Sequence, residues 1–345
     1  MAKIFLITRE RNSTVKSLLE SLETDQQPFY VHLTGEPSPR NLFLIWASFL
    51  RIKPDLAYFV FEDDKLNWME RALIETMGAL PFQNTAATFI GPIDCKKSKS
   101  LQRFIRHVDL LTLPSRQNLS ELRGLSSSNR RQLRALLPPF PPISSEASAL
   151  NSSELELLKY IHGQSLWILP WNKDYFETHH SFLESVAKQK TWVFLANRTN
   201  WKFHDFENFR EKTRHWKNQP LWAGQLGAGA IEKVFEQAEV ILLAGLNCRP
   251  SEYVQWASLA VHSGLFAILD THQVELFSGL WAVHENCELI ERDFVQQELE
   301  NRWMAGSLVP QQIRRKPRSP VKALDESLNE LNRWITKTLT YRKMA

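Results

Sequence analysis

LWAGQLGAGAIEKVFEQAEVILLAGLNCRPSEYVQWASLAVHSGLFAILD, Leu221 to Asp270, orders its apolar runs and turn residues as helix, strand, helix, strand. The run Val240 to Ala244 predicts a buried strand, which the turn Gly245 to Pro250 ends. Pro250 and Ser251 then start a helix carrying Val254, Leu259 and Val261, and Gly264 closes it. Leu265 to Leu269 returns as a strand that ends in Asp270. Strand, helix and strand in this order make a right-handed βαβ crossover in a parallel sheet. Ligands of such sheets lie beyond the carboxyl ends of the strands, which places a crevice at Leu246 to Glu252 and Asp270 to Gln273.

The rest of the chain repeats the alternation. Lys3 to Thr8 predicts a strand, and Val15, Leu18, Leu19 and Leu22 follow at helical spacing behind Ser13. Phe29 to Leu33, Leu56 to Phe61, Ala86 to Ile90 and Asp109 to Leu113 read as strands. Asn41 to Leu50, Trp68 to Leu80, Leu101 to His107 and Asn118 to Leu125 read as helices. Four prolines within five positions then open PPFPPISSEASALN (138–151), a stretch that can join neither a helix nor a central strand. A second series follows: strand Leu166 to Leu169, helix Tyr175 to Ala187, strand Trp192 to Ala196 and a helix around Phe206 to Trp216. From Pro310 a basic connector, QQIRRKPRSPVK, leads to an amphipathic helix from about Leu324 to Leu339. The expected organisation is α/β with two Rossmann-like domains facing a central cleft. Residues 1–137 form the first domain, 138–151 a linker, 152–309 the second domain and 310–345 a terminal connector and helix.

Composition narrows the class. A chain of 345 residues is long enough for two domains, and 43% hydrophobic with 23% charged content is ordinary for a globular protein. No stretch approaches the ~18 uninterrupted apolar residues of a membrane span. MAKIFLITRE reads as a first strand rather than an export signal, so the expected location is cytoplasmic. Cys95, Cys248 and Cys287 have neither metal-ligand spacing nor an even-numbered disulfide framework. The net charge of +4 is unevenly placed. Between Lys96 and Arg134 ten Lys or Arg face two acids, a patch suited to peripheral contact with an anionic inner membrane face or to a merely solvated surface. Nucleic acid is not an expected partner, because no RRM, helix-turn-helix or zinc-finger pattern accompanies the charge.

RIKPDLAYFVF (Arg51 to Phe61) and VDLLTLPSRQNLSEL (Val108 to Leu122) resemble two strand segments of the GT-B class of glycosyltransferases. SEYVQWASLAVHSGLFAILD is similar to that class's E-x7-E-A-x-A-x-G-x-P-V-I segment, written for its retaining, nucleotide-sugar-dependent enzymes. The resemblance implies a GT-B fold, a nucleotide-sugar as co-substrate, no cofactor and no metal, and a glycan or lipid-linked acceptor. Counting back from Gly264, Leu259 and Ser251 stand where the two glutamates of the pattern would be, and Glu252 lies one place from the first. Glu252 is therefore the expected catalytic carboxylate, with Ser251 and Gln255 beside it on the donor. Loss of both glutamates equally fits a catalytically inactive GT-B relative acting as a binding or scaffolding subunit.

The resemblance also implies cations on the leaving diphosphate, where negative charge develops. Lys173 in Pro170-Trp171-Asn172-Lys173 is the best match, with Arg198 and Lys202 as a competing pair. The first loop, Thr8 to Ser13, lacks glycine, and Arg9 and Arg11 flanking Glu10 are expected to supply an acceptor or phosphate loop. Glu62-Asp63-Asp64 superficially matches an acidic metal triplet but reads better as a helix start. Gly224, Gly227 and Gly229 only weakly suggest a dinucleotide turn. Ten of the twelve tryptophans follow the linker, among them Trp171, Trp201, Trp222, Trp256 and Trp281. They could stack on sugars, although core packing explains most of them.

Overall fold

The computed structural model describes residues 3–9, 27–32, 37–61, 66–78, 80, 84–91, 93, 108–113, 132–133, 150–196, 203–223, 226–281, 286–310 and 333. Two six-stranded sheets, all parallel, organise them. The first holds β1 (Lys3–Thr8), β2 (Gln27–His32), β3 (Leu56–Phe61), β4 (Asn84–Phe89), β5 (Leu110–Thr112) and β6 (Gln132–Leu133), in the order β2-β1-β3-β4-β5-β6. The second holds β7 (Leu166–Pro170), β8 (Thr191–Leu195), β9 (Leu221–Ala223), β10 (Val240–Leu242), β11 (Phe266–Asp270) and β12 (Cys287–Ile290). Its order is β12-β11-β10-β7-β8-β9, the doubly wound arrangement in which strand order reverses between β7 and β10.

Strands β1, β3, β4 and β5 of the first sheet are buried on both faces, as parallel strands must be when helices cover them. Phe5, Ile7, Ala57, Phe59, Phe61, Ala87 and Phe89 meet α1 (Pro39–Ile52) and α2 (Trp68–Gly78) through Ile45, Phe49, Met69 and Leu73. The alternate residues Ile4, Leu6, Tyr58, Val60 and Ala86 bury their side chains on the other face. Two buried hydroxyl contacts cross the sheet there, Tyr58 to Thr88 at 2.7 Å and Thr88 to Thr112 at 2.6 Å. Burial pushes the Tyr58 phenol up to about 12, so it stays a neutral partner. Helix α1 starts on Pro39 behind Ser38, whose hydroxyl accepts from Asn41 N at 3.2 Å, and ends at Lys53 in the left-handed region.

In the second sheet the helices are α3 (Ser152–Ile161), α4 (Lys173–Thr178), α5 (His180–Ala187), α6 (Phe203–Thr213), α7 (Ala228–Gln237), α8 (Pro250–Ser263), α9 (Thr271–Leu276), α10 (Ser278–Trp281) and α11 (Val295–Met304). The predicted strand, helix and strand from Val240 to Asp270 are present, with Gly264 as the left-handed cap of α8 at φ 64°. Four expectations are corrected. Leu221–Ala223 is a strand rather than helix, paired with Val193–Leu195. The helix expected over Tyr175 to Ala187 is two helices that meet at His179. Helix α2 ends at Gly78 rather than Leu80. Strands β6 and β12 and helices α3 and α11 were not expected, since each is a short segment or a mostly polar one with little periodic signal. The segments expected as helices at Val15 to Leu22, Leu101 to His107, Asn118 to Leu125 and, apart from the helical Arg333, Leu324 to Leu339 lie outside the described residues, as does the proline-rich stretch 138–149.

The glycine turn before α7 already has an anion at its helix N-terminus. Glu154 of α3, 7% exposed, accepts from Gly227 N at 2.7 Å and from Asn151 N at 2.9 Å, while Asn151 Oδ1 caps Glu154 N. A side-chain carboxylate thus occupies the place a dinucleotide phosphate would take, which removes the dinucleotide reading. A Cβ at Gly227 would lie 3.1 Å from Glu154 Oε1, so the residue there must be small. Glu154→Ala orphans both amides, and we expect a stability loss of about 2 kcal/mol, read as a lower urea midpoint at unchanged m.

Candidate functional site

The crevice opens where strand order reverses. Helices following β7 and β10 leave toward opposite faces of the sheet, so the two loops diverge at its carboxyl edge. A cavity of about 500 Å³ lies there, lined by Trp171, Asn172, Lys173 and Asp174 after β7 and by Asn247, Cys248, Arg249 and Glu252 after β10. The sequence placed half of it elsewhere. Asp270 to Gln273 do not line this cavity: Asp270 is 2% exposed and caps α9 by accepting from Gln273 N at 2.9 Å. Its second oxygen accepts from Gly245 N at 2.8 Å and so holds the turn that leads β10 into the site. Gly245 has φ +71°, and a Cβ there would come within 3.0 Å of Val295, so the turn requires glycine twice over.

Two asparagines lock the rim. Asn172 caps α4, accepting from Tyr175 N at 2.9 Å, and its amide donates to the Asn247 carbonyl at 2.7 Å across the cavity. Beneath them Trp171 is 6% exposed and packs on Trp222 at 4.5 Å, Phe176 and Phe209 at 5.5 Å, and Phe194 at 6.0 Å between ring centroids. Trp171 is therefore a floor with its faces already used. Trp256 and Trp281 are buried in the core and Trp222 packs against it, so core packing accounts for the described tryptophans named from sequence. Trp201 lies outside the described residues.

Lys173 stands at the start of α4, half exposed, with Nζ 3.7 Å from Asp205 Oδ1 at the start of α6. Arg249 faces the same cavity from the residue before α8, exposed, and no side chain caps that helix at its Arg249 N-cap. Pro250 has no N–H, which leaves the Ser251 and Glu252 amides as the first donors of α8. Two cations and a helix N-terminus on one cavity suit a polyanion. Arg249 carries no mark in the resembled pattern, whose carboxylate positions begin at Ser251. A basic residue next to a helix-starting proline at a strand's carboxyl end was the available signal.

Glu252 is buried to 8% exposure on the cavity wall, in the first turn of α8. Burial and the Glu252 charge push the neighbouring Cys248 thiol up to about 12, so it stays protonated. Gln255 lies one turn along α8 and is half-buried; Ser251 is in the helix's first turn. Leu259, where the resembled pattern has its second carboxylate, is 3% exposed and part of the core. Arg198, Lys202, Glu10 and Arg11 lie outside the described residues, as do Glu62, Asp63 and Asp64. Among the described residues no group of three His, Cys, Asp or Glu could hold a metal.

Arg9 has a different neighbourhood from the one expected. Its Nε and Nη2 donate to Glu70 Oε1 and Oε2 at 2.9 and 2.7 Å, a bidentate pair with a carboxylate that is 0% exposed. Glu70 also accepts from Asn67 N at 2.8 Å, forming a capping box at the start of α2. The Arg9 fork fastens β1 to α2 across the edge of the first sheet.

His179 lies behind the site between α4 and α5, 7% exposed, with its ring tilted against that of Tyr175 at 4.1 Å between centroids. Burial lowers its pKa, with Glu300 pulling the other way, and burial likewise lowers that of His180. An unfolded histidine protonates near pH ~6.5, before these two do in the fold. Acid therefore favours the unfolded chain: stability is full above pH ~6.5 and falls as pH drops toward the depressed folded values. Thermal melts at about pH 7.5 and 5.5 should show a lower Tm in acid, and His179→Gln should flatten that difference.

No protein-family model and no curated protein sequence matches the chain. Solved structures match it in architecture along nearly its whole length. MnaA from S. aureus, determined with UDP, superposes with TM-score 0.63 at 11% identity over 97% of each chain. HepE from Anabaena, in complex with UDP, gives 0.60 at 9% identity over 98% of this chain and 100% of that one. UDP-GlcNAc 2-epimerase from Neisseria meningitidis, bound to UDP-GlcNAc, gives 0.60 at 9% over 95% and 100%. The fold is GT-B. Both sheets of the chain, and not the second alone, take part in the likeness, since at least 95% of it is covered in each case.

Proposed function

We propose that this protein uses a nucleotide-sugar whose diphosphate lies between Lys173 and Arg249, and transfers the sugar to a glycan or lipid-linked acceptor. The observation that carries the reading is the convergence of both cations and the N-terminus of α8 on one cavity at the strand-order reversal. MnaA and HepE, crystallised with UDP on the same architecture, support it. As the bond from the anomeric carbon to the β-phosphate oxygen breaks, negative charge grows on the diphosphate beside Lys173 and Arg249. Positive charge grows on the sugar, the acceptor hydroxyl oxygen forms the new bond to the anomeric carbon, and its proton passes to the departing diphosphate. Glu252 supplies the opposite charge for the sugar side, with Ser251 and Gln255 placed along the donor. Arg198 and Lys202 are assigned to the donor side of this reading. Glu10 and Arg11 are assigned to the acceptor or phosphate loop of this reading, and the basic segment 96–134 to contact with an anionic inner membrane face. The chain works in the cytoplasm, where nucleotide-sugars are made, and needs no cofactor beyond its co-substrate. Among the described residues no helix is long and apolar enough to cross a membrane.

A panel of UDP, GDP, ADP and CMP in thermal-shift measurements tests the reading, because a ligand of the native state raises Tm. We expect one nucleoside diphosphate to raise it at millimolar concentration; no shift with any would sink the proposal. Leu259 in the core favours a second reading, a GT-B protein that binds the donor without turning it over. Release of free UDP from a UDP-sugar separates the two. It also separates transfer from epimerisation, which leaves UDP attached.

A further inference from the structure

Helix α1 is apolar on both sides. Leu42, Ile45, Trp46, Phe49 and Ile52 form the stripe that packs on the first sheet. Phe43, Ala47 and Leu50 recur at i, i+4 and i+7 on the opposite side, with Leu44 beside them. Phe43 is 71% exposed, Leu44 52% and Leu50 60%. An exposed apolar stripe opposite the one that packs on the core marks a surface that meets a second apolar phase. Charge identifies the phase. At 100° per residue Arg40 and Arg51 fall within the same outer stripe, both exposed, Lys53 follows at the helix end, and residues 37–54 contain no acid.

We propose that α1 is a membrane-docking helix that lays Phe43, Leu44 and Leu50 into the surface of an anionic bilayer, with Arg40 and Arg51 on the lipid phosphates. Apolar side chains interleaved with arginine match the acyl boundary and the headgroup layer at one depth. A second copy of the chain fits less well. Two such helices face to face set Arg40 and Arg51 of one against those of the other with no carboxylate on either stripe. The proposal uses no residue of the basic segment 96–134 and is independent of the nucleotide reading.

The test is flotation of the full chain with phosphatidylcholine vesicles, with and without about one-third phosphatidylglycerol. We expect binding to the anionic vesicles, weakened by salt, and little to the neutral ones. Phe43→Ser with Leu50→Ser should lower the partition coefficient about tenfold. Arg40→Gln with Arg51→Gln should lower it by a similar factor and remove most of the salt dependence. Because these side chains are exposed, all variants should keep the wild-type Tm and any nucleotide-induced shift. Absence of binding to anionic vesicles, or equal binding by both variants, overturns the proposal. So does a wild-type dimer in sedimentation velocity that Phe43→Ser with Leu50→Ser converts to monomer without any vesicle binding.

Discussion

Arg249→Ala and Lys173→Ala should each weaken UDP binding about tenfold, and the double variant about a hundredfold, in isothermal titration. A charge-assisted bond to a phosphate contributes about 1.5–3 kcal/mol, of which tenfold is ~1.4. The lower end applies, since both side chains are substantially exposed and Lys173 already shares Asp205 at 3.7 Å. The two cations approach the cavity from different loops but share one ligand, so the double variant's factor measures their coupling: a hundredfold loss means independent contacts. Salt should weaken wild-type binding more than binding by the double variant. Lys212, paired with Glu177 away from the cavity, is the control, and Lys212→Ala should bind UDP as wild type does. Unchanged affinity in both single variants would retire the assignment of the diphosphate to this crevice.

Trp171→Ala should cost about 3–5 kcal/mol of stability, the range for removing a buried large aromatic residue. The ring touches four other aromatic rings, and its backbone N–H donates to the Leu195 carbonyl at 2.7 Å, tying β7 to β8 at the point where the site begins. Part of the cost should therefore appear as function. With the floor gone, the Asn172 to Asn247 clasp loses its support, and UDP affinity should fall even where the variant remains folded. Trp171→Phe keeps an edge against Trp222 and should lose less on both counts. A loss below about 1 kcal/mol in urea unfolding would mean that this aromatic cluster is not the rigid base described.

The parallel crossover from Val240 to Asp270 was legible because each of its signals was local: a continuous apolar run, a helix-starting Pro250, a closing Gly264 and a second apolar run. The position of the crevice was only half legible. Adjacent strands in the sequence, β10 and β11, are also neighbours in the sheet, whereas the pairing of β10 with β7 bridges about seventy residues and carries no local mark. That pairing is what sets Lys173 beside Arg249. Arg9 shows the same limit in the first sheet: a charged residue in a glycine-free loop reads as a ligand, but its partner is Glu70, 61 positions away and fully buried. The break at His179 was hidden because Tyr175 to Ala187 is apolar enough on one side for a single helix, whereas the split is a single backbone departure at His179, φ −103° and ψ 17°.

The most direct measurement is a crystal structure of the chain grown with UDP. The account predicts the diphosphate in the crevice between the ends of β7 and β10, with Lys173 Nζ and the Arg249 guanidinium within hydrogen-bond distance of its oxygens and the first amides of α8 facing it. A diphosphate seated at another edge of either sheet would contradict it.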